Sequence, residues 1–168
     1  GATDYLAKPV EPLILDAKVV SALERFAYRR ELNMLATTDQ LTQLMNRRAV
    51  MARLDEIVEQ YFAEEVSFGM LLLDIDFFKK VNDTYGHNGG DAVLTQFAEC
   101  LKNVMRSTDV IGRMGGEEFI AIVQNTSVQD FHNICERIRT SVEALFCDYE
   151  GLIIKITTSG GTYFSSEL

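Results

Sequence analysis

The sequence predicts an α/β (α+β) domain, a mixed sheet with helices packed on it, preceded by one long helix. Three observations predict this. From about residue 47 onward, strand-length apolar runs alternate with segments of helical periodicity. Two of those runs, "DVIGR" and "EFIAIV", flank "RMGGEEF" (113–119), where paired glycines mark a tight hairpin. Ahead of them, residues 13–35 carry apolar positions at mostly three- and four-residue steps inside a charged stretch. A length of 168 residues suffices for one domain with a real core, and 47% hydrophobic with 24% charged residues is an ordinary globular composition.

The elements follow in chain order. "GATDYLAKPVEP" is a short apolar piece ended by Pro9 and Pro12. From Leu13 to about Leu35 a helix carries a narrow seam through Leu13, Ala17, Val20, Leu23, Ala27 and Met34, with "ERFAYRRE" as its solvated charge. Such a helix pairs with a copy of itself or serves as a lone connector. "ATTDQLTQLMNRRAV" breaks the helix and restarts it, and Arg47 to about Glu64 is helical through Val50, Leu54, Ile57, Val58 and Tyr61. "SFGMLLLDI" is a continuous apolar run and reads as a buried central strand. A short helix over 77–85, a loop at "GHNGGD" and an amphipathic helix from Asp91 to about Met105 come next. After the hairpin, Val128 to about Leu145 is helical and "LIIKITTSGGTYF" reads as one further strand. The sequence has no internal repeat and no low-complexity segment.

A net charge of −9 argues against nucleic acid or an anionic membrane as partner. A polyanionic nucleotide would need a divalent cation to bridge the charges. The longest apolar stretch is far short of a membrane span, and no signal peptide is visible. Cys100, Cys135 and Cys147 form no metal or redox spacing and suit a reducing compartment, so the cytoplasm is the expected location. Gly1 in place of a methionine suggests that the true start lies upstream.

Chemistry gathers at two places. Asp74 and Asp76 lie two apart at the end of the apolar strand, on one face, where open α/β sheets bind ligands. Oxygen ligands of this kind suit magnesium, although strand-end aspartates also serve as solvated caps. The second place is "GGEE", which taken alone reads equally well as a β-turn with a solvated end. If that hairpin lies beside the "LLLDID" strand, one of its carboxylates could complete a metal site with Asp74, and its glycines would let backbone approach a phosphate. In regular strand, Glu117 and Glu118 would point to opposite faces and do different jobs.

With these residues in place, the chain resembles the GGDEF-family diguanylate cyclases. "GGEEF" stands in the place of the name motif, "DQLTQLMNRR" (39–48) resembles the family's opening segment, and "DIDFFKKVNDTYGHNGGD" (74–91) its metal and nucleotide segment. The resemblance implies a polymerase-palm/nucleotidyl-cyclase-like fold and condensation of two GTP molecules to cyclic di-GMP with release of pyrophosphate, in a homodimer whose two sites face each other. It implies Mg²⁺, with Mn²⁺ as a possible substitute, held by the side chains of Asp74 and Glu117 and the carbonyl of Ile75. Glu117 would also help to deprotonate the attacking hydroxyl. Asn82 and Asp91 would bind the guanine edge, an amide and a carboxylate meeting groups that adenine does not present in that pattern. Backbone around Phe77 and Phe78, with Lys79, would approach the phosphates, and Glu118 belongs with the substrate-binding residues.

"RSTD" resembles the family's RxxD inhibitory site, with Arg106 and Asp109 binding the product; by spacing alone it could be a surface ion pair. "GATDYLAKP", with Lys8 and Pro9, resembles the end of a response-regulator receiver domain, which divides the chain into a receiver remnant (1–12), a helical stalk (13–38) and a GGDEF domain (39–168). Members of the family continue beyond the "ITTSGGTYF" strand into a helix with a lysine and an arginine for the phosphates. The expectation is therefore a domain truncated at its C-terminus, with weak or no activity in this chain and normal activity in an intact parent. His87 reads as a loop hydrogen-bonder, His132 as structural, and the Phe77 and Phe78 rings as core. Two other readings stay open: a non-catalytic cyclic di-GMP receptor working through Arg106 and Asp109, and a dimerisation module.

Overall fold

A computed structural model describes residues 12–167. The segment read as a receiver remnant, with Lys8 and Pro9, lies outside the described residues apart from Pro12. The chain divides into two compact units, one ending at Ala36 and the other spanning 37–168. The described part of the first is helix α1 (Pro12–Thr37). Its apolar positions are uncovered: Val20 is 53% exposed, Leu23 63% and Phe26 69%. Among the described residues no helix is long and apolar enough to cross a membrane.

The second unit is built on a five-stranded sheet. In spatial order its strands are β1 (Met45–Asn46), β3 (Val110–Gly115), β4 (Glu118–Gln124), β2 (Phe68–Ile75) and β7 (Thr158–Phe164). β1 runs parallel to β3, and the remaining pairs are antiparallel. Alternation along the strands feeds two separate cores. On one face, helix α2 (Arg47–Glu64) presses Val50 and Ile57 onto Phe68, Val110, Ile120 and Ile122. On the other, helices α3 (Phe78–Val104) and α4 (Val128–Glu143) bury Phe97, Leu101 and Ile138 with Leu71, Leu73 and Phe119. Asn46 caps α2 by accepting from the Ala49 N–H at 3.0 Å, and Ser127 caps α4 by accepting from Asp130 at 3.1 Å.

Four expectations need correction. "GHNGGD" is not a loop: α3 runs from Phe78 to Val104 and is broken only at Gly86 (φ 72°, ψ 174°), a backbone state in which a Cβ would be strained. "LIIKITTSGGTYF" is not one strand. It splits into β6 (Leu152–Ile154), which pairs with β5 (Cys147–Tyr149) in a hairpin of its own, and β7 in the main sheet. β2 is central as expected but not buried throughout: Leu72 is 46% exposed, since it lines an open cleft near the end of the strand. Finally, the Phe77 ring is not core. Phe78 is 7% exposed, whereas Phe77 is 82% exposed and takes the left-handed conformation (φ 56°) at the start of α3.

Candidate active site

The antiparallel register of β2 with β4 sets Asp74 opposite Glu118, and that of β2 with β7 sets Asp74 opposite Ser159. The "GGEE" hairpin therefore does lie beside the "LLLDID" strand. A cleft of ≈ 520 Å³ opens there, lined by Asp74, Glu118, Arg47, Met114, Leu72 and the Ser159–Gly161 backbone. The side chains of Asp74 and Glu118 are exposed and form no hydrogen bond or ion pair with another described residue. Glu117 sits in the turn itself, half-buried, and its carbonyl accepts from the Ile75 N–H at 3.4 Å. The two glutamates thus take different positions, one in the turn and one at the mouth of the strand.

Asp76 is committed elsewhere. Its two carboxylate oxygens accept from the hydroxyls of Thr157 and Ser159, both at 2.6 Å, and its N–H donates to the Thr157 carbonyl at 3.0 Å. Thr158 Oγ1 donates to the Asp74 carbonyl at 2.8 Å. These bonds lash the end of β2 to the start of β7 and leave Asp74 as the unpaired member of the DxD pair.

The glycine turn is held from outside. Arg113 donates to the Gly116 carbonyl through Nε at 3.0 Å and Nη2 at 2.8 Å, while its Nη1 reaches Asp39 Oδ1 at 3.2 Å. Gly115 and Gly116 have φ of 145° and 51°, so the turn itself needs glycine. Asp39 Oδ1 also accepts from the Thr42 N–H at 2.9 Å and the Thr42 hydroxyl at 2.7 Å. Burial pushes the Asp39 carboxyl up, but the Thr42 hydrogen bonds and then the Arg113 charge outweigh it, and the group is held below the usual carboxylate range. Sequence reasoning passed over Arg113, although it opens the "RMGGEEF" stretch, and over Arg47, which follows the Asn46 cap directly.

The sequence-predicted base-binding pair comes together on α3. Asn82 lies against Gly90, where a Cβ would meet Asn82 Oδ1 at 2.0 Å, and Asp91 follows next in the chain with its side chain exposed. Lys79, exposed, sits in the first turn of α3 just beyond Asp76. The backbone at Phe77 is turned sharply there, its carbonyl accepting from Lys80 at 2.8 Å.

Arg106 and Asp109 form a compact turn: the Arg106 N–H donates to Asp109 Oδ2 at 2.8 Å, and the Asp109 N–H to the Arg106 carbonyl at 3.1 Å. They are not the surface ion pair their spacing allowed, because Asp109 serves backbone. Arg106 lines a separate cleft of ≈ 220 Å³ with Arg137, Ser127 and Asp130. The thiols take no part in either cleft. Burial pushes Cys147 up to about 11, with Cys100 adding to it, and burial likewise raises Cys100 and Cys135.

The donors at the strand end are oxygens only. Among the described residues no three His, Cys, Asp or Glu side chains converge as a complete metal cage. Magnesium does not require one, since it typically takes one or two carboxylates and fills its shell with water and phosphate. Asp74 with a hairpin glutamate fits that demand.

Comparison with known proteins points to one family. The family described as "Diguanylate cyclase, GGDEF domain" matches residues 36–167. Response regulator PleD of Caulobacter vibrioides is 43% identical over 149 residues, covering 84% of this chain and 33% of that protein. Diguanylate cyclase A of Treponema denticola is 39% identical over 130 residues, covering 76% and 35%. The chain thus spans about a third of the length of these relatives. Among solved structures, diguanylate cyclase SiaD of Pseudomonas aeruginosa, in complex with its activator SiaC, superposes with a TM-score of 0.74 at 37% identity, over 90% of this chain and 60% of that one. The coiled coil and GGDEF domain of DgcB from Caulobacter crescentus, in complex with c-di-GMP, gives 0.76 at 29% identity, over 88% and 81%.

Proposed function

The chain belongs to the GGDEF family of diguanylate cyclases, and we propose that it works as the nucleotidyl-transfer domain of a parent that condenses two GTP molecules to cyclic di-GMP and pyrophosphate. The observation that carries this reading is the register that sets Asp74 opposite Glu118 at the mouth of an open cleft, neither carboxylate having a partner among the described residues. Asp74, Glu117 and the Ile75 carbonyl would hold Mg²⁺, which when bound neutralises charge on the phosphate oxygens. Glu117, fixed in the turn, would draw the proton from the attacking hydroxyl. Lys79 and the Phe77–Phe78 backbone would orient the phosphates, and Asn82 with Asp91 would select guanine. Two GTP molecules require two facing sites, so a homodimer is part of the proposal, and the uncovered apolar side of α1 offers a second copy a surface to pair with. Product inhibition at Arg106 and Asp109 is proposed as well: Arg106 lines a cleft with Arg137 where phosphate oxygens could bind, and Asp109 holds the turn that carries Arg106.

The test is GTP binding with and without Mg²⁺ by this chain, together with chromatographic resolution of products from the intact parent and from its Glu117→Ala variant. Binding should require Mg²⁺, cyclic di-GMP should be the product, and the substitution should lower turnover by about 10²-fold or more. Cyclic di-GMP binding without Mg²⁺-dependent GTP binding would replace this reading with that of a receptor.

A further inference from the structure

Among the described residues that line the Asp74–Glu118 cleft, Arg47 is the one cation. Its side chain is exposed and forms no hydrogen bond or ion pair with another described residue, although two carboxylates line the same space. The backbone beneath it is fixed. Met45 and Asn46, immediately before it, pair with Gly112 and Arg113 of β3, the strand that leads into the glycine turn. Gly112 lets α2 lie close on that strand, since a Cβ there would sit 2.0 Å from Val50 Cγ2. A rigid backbone bearing an uncommitted side chain is the arrangement expected of a binding residue.

Its place in the helix points the same way. Arg47 is the first residue of α2, whose first turn has no acidic side chain, so a cation stands at the positive end of the macrodipole with no carboxylate of that turn to offset it. Helix stability does not explain an arginine there; an anion in the cleft does. We propose that Arg47 grips the polyphosphate of the nucleoside triphosphate in this cleft, its guanidinium fork donating to two non-bridging oxygens. This rests on the cyclase reading and adds to it a phosphate ligand from the start of α2, in addition to Lys79 of α3. The cation also counters the repulsion that Asp74 and Glu118 exert on an incoming triphosphate.

The experiment is calorimetric binding of GTP, GDP and GMP, each with Mg²⁺, to the 168-residue chain as wild type, Arg47→Ala and Arg47→Lys. The wild type should bind more tightly as phosphates are added. Arg47→Ala should weaken GTP by about 10- to 100-fold while GMP binding is kept, since hydrogen bonds to charged groups have that worth. Arg47→Lys should fall between, because it keeps the charge and loses the fork. The alanine chain should melt no lower than the wild type. Unchanged GTP affinity in Arg47→Ala overturns the inference and leaves the cyclase reading standing. Equal losses for GTP and GMP also overturn it, assigning Arg47 to the fold of the site. A wild type that fails to bind GTP with Mg²⁺ sinks the cyclase reading itself, and Arg47 with it.

Discussion

Asp39 and Asp74 are both aspartates beside the "GGEE" turn, yet the structure treats them in opposite ways. Asp39 is partly buried, its side chain 25% exposed, and accepts from Thr42 and from the 15%-exposed Arg113. Asp74 is exposed and its carboxylate has no partner among the described residues, while the hydroxyls nearby go to Asp76 and to its own carbonyl. A carboxylate saturated by protein donors holds structure in place; one left open beside a second open carboxylate keeps its lone pairs for a ligand. Asp39 builds the turn that positions Glu117, and Asp74 waits at its edge.

Exchanging the two roles gives the largest effect. Asp39→Ala leaves the Arg113 guanidinium partly buried without its carboxylate and strips Thr42 of its acceptor. It should destabilise the domain by about 1–3 kcal/mol, lowering Tm by roughly 3–10 °C. Asp74→Asn should leave Tm within about 1 °C or raise it slightly, because it removes one of two facing like charges, and should abolish Mg²⁺-dependent GTP binding. Parallel melting curves and calorimetry check both halves. A Tm loss for Asp74→Asn equal to that of Asp39→Ala would erase the distinction.

How much of this was legible in the sequence follows from the same contrast. Helix α2 was readable to its ends, because Asn46 caps it and its apolar steps are regular. The neighbouring positions of β2 and the "GGEE" hairpin were readable as a condition, since both carry their polar residues at the ends of apolar runs. β1 was not, because two residues cannot show a period. The break after Tyr85 was legible, but the return to helix directly after Gly86 was hidden by four glycine and asparagine positions in "GHNGGD" that ordinarily mark a loop. There Gly90 is present for close approach to Asn82, which leaves no trace in periodicity. The Arg113–Asp39 tie was invisible for a simpler reason: its partners are 74 residues apart. Phe77 misled because an aromatic residue beside a second one predicts burial, while its left-handed backbone turns the ring out.

Gly90 extends the comparison to a side chain placed by shape rather than by hydrogen bonds. The Asn82 side chain forms no hydrogen bond with another described residue; the absent Cβ at Gly90 makes room for its amide. Gly90→Ala should displace that amide and reduce the preference for GTP over ATP by roughly 10-fold, the worth of one well-placed hydrogen bond. Helix propensity favours alanine at this position, so a loss of discrimination with little loss of stability would separate placement from folding. Unchanged discrimination would remove Asn82 from the guanine edge.

The smallest effect is the most direct measure of the Asp39 environment. Because Asp39 titrates below its ordinary range in the folded chain, the unfolded chain takes up its proton first as pH falls. The stability it contributes is therefore complete above about pH 4, the unfolded carboxylate value, and drains away as pH drops through the lower folded pKa. Asp39→Asn removes that proton from both states and should flatten this part of the acid limb while costing stability at neutral pH. Asp74→Asn should leave the Asp39 contribution to the limb in place. Denaturant melts of the three chains between pH 3 and pH 7 would show whether the acid sensitivity follows the saturated carboxylate or the open one, and only the first outcome is compatible with a guanidinium clamp on the glycine turn.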